Sequence, residues 1–342
     1  MNSVPGLIES VSNSDRVLVV GVNWIGDALM GMPALQAWRR ANPNTRLTML
    51  VKASLEPLWR MHDVPNDVRI YDDSWASMRT AAKELRREQH TRAIIFPNSF
   101  RSALIPVMAG IPERIGRRGQ LRTALLNRPL PSGSATRRHQ SLEYYELLGA
   151  PPPPADEPEF ARLVVPCDVH DTAERLMRSV RIPLLGVMPG AARGPAKRWP
   201  VAHFAAVAKK WVTETRGSVV VMGAGADASA GDAIVAEAGS GVNLAGKTSM
   251  VEWTACVSAC DMVVCNDSGG MHLAAALRRP LVAIFGATDP RVTGPLGTNI
   301  CVVQDDGEHD REIGHSDADA EKRLAAISPD RVYGEMIHLL SP

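Results

Sequence analysis

Short runs of aliphatic and β-branched residues alternate along the chain with longer stretches of helical period, the pattern of a parallel sheet joined by crossover helices. In the first half Arg16 to Val20, Arg46 to Val51, Val68 to Tyr71 and Arg92 to Phe96 read as strands, Asp27 to Ala41 and Trp75 to Gln89 as helices, and residues 139–148 as one helix more. The consecutive prolines Pro151 to Pro154 then forbid both helix and central strand, which marks a linker or a domain edge. The alternation restarts with strands at Leu184 to Met188, Ser218 to Met222, Asp261 to Cys265 and Leu281 to Phe285, and helices beginning at Val201, Val251 and Gly269. This pattern predicts an α/β protein of two Rossmann-like domains with parallel sheets facing across a cleft, residues 1–165 and 166–342, with a final helix free to pack back on the first. A length of 342 residues fits that reading at roughly 150 residues per domain.

Composition narrows the class. With 45% hydrophobic and 22% charged residues the chain lies in the ordinary globular range. No apolar run reaches the roughly 18 residues of a spanning helix, and Met1 to Asp15 lacks the basic and apolar regions of a secretory signal. A cytoplasmic protein is expected. The five cysteines (Cys167, Cys256, Cys260, Cys265, Cys301) form no C-x-x-C pair, so neither a disulfide framework nor a structural zinc site is expected. Net charge is only +1, but its distribution is uneven: seven arginines and one acid between Glu113 and Arg138, eight acids and one arginine from Asp305 to Glu321. The basic stretch has no interleaved aromatics for base stacking, which argues against nucleic acid and leaves a solvated face, an anion-binding arm or a membrane-surface contact.

Ligands of doubly wound sheets bind beyond the carboxyl ends of the strands, so the loops after strands are where chemistry is expected. The first, Gly21 to Asp27, has P-loop glycine spacing but puts Asp27 and Ala28 where Lys and Ser or Thr belong. A carboxylate there repels a triphosphate; Asp27 is a candidate base, or on spacing alone a cap for the following helix. The second, Pro189 to Pro200, joins the small residues Gly190 and Ala191 to Arg193, Lys197 and Arg198, as an anion site requires. The third, Gly223-x-Gly225-x-x-Ala228, has the dinucleotide spacing but no acid at the end of the next strand, so a ribose-contacting turn and a plain tight turn stay equally open. The fourth, Asn266 to His272, opens a helix with Ser268, Gly269 and Gly270 at its N-terminus, a ready diphosphate site. Asp267 suits sugar hydroxyls, so a nucleotide diphosphate sugar reconciles both groups. His272 fits a core position as well as a ligand contact. The D-x-D at Asp317 and Asp319 follows no strand and reads as solvated surface, so no metal site is expected, and there is no G-x-S-x-G elbow for acyl transfer.

The Trp24-Ile25-Gly26-Asp27 turn, the Phe96-Pro97-Asn98-Ser99-Phe100-Arg101 run with Ala109 to Pro112, the Gly194-Pro195-Ala196-Lys197-Arg198-Trp199-Pro200 run and Asn266-Asp267-Ser268-Gly269-x-Met271-His272 together resemble glycosyltransferase family 9 over roughly residues 16–300. Within it, the Pro-Asn-Ser-Phe and Lys-Arg-Trp-Pro runs look like the members that act second on the lipopolysaccharide inner core. The resemblance implies a GT-B fold with an acceptor-binding N-terminal and a donor-binding C-terminal domain. It also implies inverting, metal-independent transfer from ADP-heptose to a heptosyl-Kdo2-lipid A acceptor, with no cofactor. By motif it implies Asp27 as general base, Lys197 at the diphosphate, and Gly190, Ala191, Asp267, Ser268, Gly269, Gly270 and His272 in the donor site, with Asp227 and Thr248 near ribose and adenine. Asn98, Ser99 and Arg101, joined by Arg117, Arg118 and Arg122 of the basic stretch, are the expected acceptor contacts; several arginines together can hold a soluble enzyme at the cytoplasmic face of the inner membrane. Gly270 departs from the leucine expected there. Rival readings are a family 9 enzyme with another acceptor, a GT-B-like nucleotide-sugar epimerase, and a nicotinamide oxidoreductase using the Gly223 loop.

Overall fold

A computed structural model describes residues 15–119, 121–132, 138–154, 157, 159–305, 307 and 317–341. Arg137, most of the acidic run after Asp305 and nearly all of the N-terminal stretch lie outside the described residues. Contacts divide the chain into two compact units at Val164 and Val165.

The first unit runs β1 (Arg16–Val20), α1 (Ile25–Ala41), β2 (Arg46–Lys52), α2 (Glu56–Arg60), β3 (Asp67–Tyr71), α3 (Trp75–Glu88), β4 (Arg92–Ile95), α4 (Phe100–Ala109), β5 (Glu113–Arg117), β6 (Arg128–Leu130) and α5 (Ser141–Leu148). The second runs α6 (Cys167–Leu176), β7 (Leu184–Met188), α7 (Val201–Thr215), β8 (Ser218–Val221), α8 (Ala228–Ala238), β9 (Gly241–Asn243), α9 (Met250–Ser258), β10 (Met262–Asn266), α10 (Gly269–Ala276), β11 (Leu281–Phe285), α11 (Pro290–Thr293), β12 (Ile300–Gln304), α12 (Ala318–Ala326) and α13 (Pro329–Leu340).

Each unit holds one six-stranded parallel sheet, in the orders β3-β2-β1-β4-β5-β6 and β12-β11-β10-β7-β8-β9. Both are the doubly wound order, reversing direction between β1 and β4 and between β7 and β10, and such a reversal opens a ligand crevice at the strands' carboxyl ends. Helices cover both faces, so the central strands need no polar side: Val17 to Val20, Leu184 to Met188 and Leu281 to Phe285 are all buried, which is why they read as unbroken apolar runs. The last helix, α13, packs on α7, β11 and β12 of its own unit.

Strand β5 and the three-residue edge strands β6 and β9 carry arginine, proline and glycine instead of an apolar run and give no strand signal in the sequence. The chain after Pro154 stays with the first unit: Gln36 donates to Phe160 O at 3.1 Å and accepts from Arg162 N at 2.8 Å, and Val164 N donates to Met61 O at 2.7 Å. The domain edge therefore falls past the prolines.

Candidate active site

Every candidate loop sits at or beside one of the two reversal points. In the first unit Asp27 lies in the first turn of α1, half-buried. It is not the N-cap residue, which is Trp24 and makes no side-chain capping bond. Asp27 Oδ1 instead accepts a hydrogen bond from Gln140 Nε2 at 2.8 Å. From the neighbouring strand, the loop after β4 presents Asn98, exposed, and Ser99, whose hydroxyl caps α4 by accepting from Ser102 N at 3.2 Å. Arg101 is exposed on the first turn of α4.

The basic stretch is not uniformly exposed. Arg117 is buried, pairing with Glu146 and lying 3.5 Å from Glu143. Arg122 has no exposed surface; its guanidinium donates to Arg117 O at 2.8 Å, to Pro97 O and to Asn98 Oδ1 at 3.0 Å. Burial pushes its pKa down to about 10, so it stays charged at neutral pH. Of the three arginines of the basic stretch expected to touch the acceptor, only Arg118 is exposed. The physical reason is that Arg117, at the end of β5, and Arg122, in the connection from β5 to β6, fold inward onto the acids of α5 and onto loop carbonyls.

In the second unit each residue of the Gly194 to Pro200 run has a local task. Gly194 sits at φ 101°, a conformation for glycine alone. Ala196 is buried against Ala287 and Ala320. Trp199 plugs the core edge-on to Phe204, with Nε1 donating to Ile327 O at 3.0 Å. Anchored on both sides, Lys197 reaches inward and pairs with Asp267. Thr288 donates to the same Asp267 Oδ2 at 2.7 Å. A carboxylate already matched by an ammonium and a hydroxyl repels an incoming phosphate far less than a bare one, so Asp267 does not by itself exclude an anion here.

Asn266 opens the fourth loop in the sequence, but no role was expected of it. Wholly buried, it accepts from Trp199 N at 3.0 Å and donates to Pro189 O at 2.7 Å, stitching the loop of Lys197 to the end of β10. Its place just before Asp267 at a strand end was the available signal. Gly190 is small for another reason than ligand approach: a Cβ there would stand 2.3 Å from Asp227 Oδ2. Asp227 is buried, accepts from Ala224 N at 2.9 Å and lies 3.8 Å from Arg198, so its carboxylate organises the Gly223 turn. Ala191 is buried behind it and its carbonyl accepts from Arg198. At Gly270 a Cβ would meet Met188 Sδ at 2.6 Å; Met188 fills the space a leucine would take. Ser268 is the N-cap of α10 but makes no capping bond, Gly269 beside it is half-buried, and His272 is buried one turn in. Thr248 is half-buried before the Ser249 cap of α9. Asp317 caps α12 and Asp319 is exposed, in line with a solvated D-x-D. Among the described residues no acid, His or Cys group of metal-holding geometry occurs, and no helix is long and apolar enough to cross a membrane.

The sequence model of glycosyltransferase family 9 (heptosyltransferase) matches residues 78–321. Lipopolysaccharide heptosyltransferase 2 of Salmonella typhimurium is 35% identical, covering 95% of this chain and 99% of that protein. Its Escherichia coli counterpart is 34% identical, over 95% and 98%. The solved structure of E. coli ADP-heptose lps heptosyltransferase II superposes with a TM-score of 0.82 at 32% identity, covering 95% of this chain and 98% of that one. A family 9 glycosyltransferase from Veillonella parvula, at 20% identity and a TM-score of 0.83, shares the fold. The tandem Rossmann-like units are thus of the GT-B class, and the chain belongs to glycosyltransferase family 9, the heptosyltransferases.

Proposed function

We propose that the protein transfers heptose, with inversion, from ADP-L-glycero-D-manno-heptose to the first heptose of the lipopolysaccharide inner core. The observation that carries this is the match, end to end and above 30% identity, to relatives named for that step. In the reaction Asp27 takes the proton of an acceptor hydroxyl, the oxygen attacks the anomeric carbon, and ADP leaves. General-base assistance of this kind contributes about 10² to 10⁴ in rate. Charge grows on the diphosphate as the bond breaks. Lys197 and the uncapped first-turn amides of α10 at Gly269 and Gly270 meet that charge, and do so more strongly in the transition state than before it. Asp267 and His272 then hold sugar hydroxyls, and Thr248 with the Asp227 turn faces the adenosine. An ammonium and helix amides supply what a divalent cation supplies elsewhere, so no metal is needed.

Asn98, Ser99, Arg101 and Arg118 are the acceptor contacts of this reading, with Arg117 and Arg122 acting from behind as braces. The acceptor is a glycolipid carrying carboxylates and phosphates, which the exposed arginine forks suit. Each basic residue near an anionic surface adds about 1 kcal/mol, so we propose peripheral contact with the cytoplasmic face of the inner membrane. The test incubates the protein with ADP-heptose, with and without heptosyl-Kdo2-lipid A, and follows ADP release and the acceptor's mass. A gain of one heptose, dependent on acceptor, is expected. Turnover of ADP-heptose without acceptor would favour the epimerase reading.

A further inference from the structure

A carboxylate that serves as general base must meet its hydroxyl in one orientation, and Asp27 has a fixed partner the motifs do not include. Gln140, the N-cap residue of α5, donates from Nε2 to Asp27 Oδ1 at 2.8 Å and to Tyr144 Oη at 3.3 Å. The two residues are 113 apart in sequence. Packing brings them together: α5 lies along α1, and Gly31 lets it in close, since a Cβ there would stand 3.3 Å from Phe96 and 3.5 Å from Tyr144. Tyr144 is buried, its ring 4.9 Å from that of Phe96, so its hydroxyl is a fixed second acceptor for the amide.

The two hydrogens of a primary amide diverge in one plane. With one on Tyr144 and the other on Asp27, the plane is set, and with it the rotation of the Asp27 carboxylate. A neutral amide also lowers the basicity of the carboxylate less than the full charge of a lysine or arginine would. Among the charged and titratable groups of this corner, Arg138 and Arg117 both pair with Glu146, Arg117 also lies 3.5 Å from Glu143, and His139 Nδ1 lies 2.8 Å from Ser141 Oγ.

We propose that Gln140 is the positioning residue of the base, holding Asp27 Oδ1 through an amide itself fixed by Tyr144. The proposal rests on Asp27 being the base, so the test runs Asp27→Asn beside two variants of Gln140. Gln140→Met keeps the side-chain length and loses the donor; Gln140→Asn keeps the amide but withdraws it by one methylene. In both, kcat should fall about 10-fold or more, as misplaced catalytic groups do. The donor KM should stay put, and the acid limb of the kcat/KM profile should move to higher pH, because an unsupported carboxylate holds its proton more tightly. Thermal unfolding reports whether each variant folds. If Asp27→Asn is inactive while a folded Gln140 variant keeps wild-type kcat and an unmoved acid limb, the Gln140 proposal alone is overturned. A loss of stability with an unmoved limb overturns it too, leaving Gln140 as packing. If Asp27→Asn keeps its turnover, the base assignment fails and the proposal with it.

Discussion

Asp27 and Lys197 carry opposite halves of the proposed chemistry, and each is distinguishable from a structural role by substitution. Asp27→Asn preserves shape and removes the base, so turnover should fall by about 10² or more while the unfolding temperature holds, because the asparagine keeps an Oδ1 to accept from Gln140 and the N-cap residue is Trp24. Lys197→Ala should raise the donor KM and lower kcat together, and it should also cost stability, since Asp267 would keep only Thr288 in a buried site. Lys197→Ala with unchanged donor KM would remove that residue from the site. His62 offers a test unconnected with catalysis. Burial, aided by Arg162, lowers its pKa from 6.5 to about 3, and its Nδ1 has no partner to receive a charge. The unfolded chain therefore takes up a proton below pH 6.5 that the folded one refuses down to about pH 3. Stability present above that window should drain as pH falls through it, by about 1.4 kcal/mol per pH unit. His62→Gln should flatten that slope in denaturant melts at successive pH values; an unaltered slope would mean His62 takes its proton in the folded state.

At the level of elements, the central strands and the four loops after them were legible because buried parallel strands advertise themselves as apolar runs and because their carboxyl ends bear unusual residues. Helix α9 shows the limit of spacing arguments: it starts at Met250 under a reciprocal Ser249 and Glu252 capping box that the sequence displays openly, one residue before the expected Val251. Strands β5 and β6 were hidden because their arginines looked like surface. Whether an arginine points to water or to a carbonyl is a tertiary fact, decided here by Pro97 O and Asn98 Oδ1 closing on Arg122. Likewise Asn266 and Gln140 are ordinary polar residues until packing gives each two partners. Arg122→Ala should therefore destabilise the first unit and raise the acceptor KM through disorder of the Asn98 loop. Arg118→Ala should weaken acceptor and anionic-liposome binding at low salt with no loss of stability. Equal melting temperatures for wild type and Arg122→Ala would show that the brace is dispensable. Trp199→Ala, which empties the plug behind Lys197, should cost about 3 to 5 kcal/mol and is read by the unfolding midpoint.

For the whole molecule, two sheets of the same winding order place a candidate base at one reversal point and a candidate diphosphate site at the other. On the proposed reading each unit supplies one half of the chemistry. It also makes a statement about cations: with Lys197 and the α10 amides at the leaving diphosphate, EDTA should leave most of the activity, whereas complete inhibition reversed by magnesium would assign that charge to a metal. The central claim concerns the acceptor, and it is tested most directly by ADP release from ADP-heptose with two defined acceptors, Kdo2-lipid A truncated before the first heptose and the same glycolipid carrying it. The account predicts release only with the heptosylated acceptor. Equal or preferential release with the truncated one would contradict it and assign the protein to the preceding transfer.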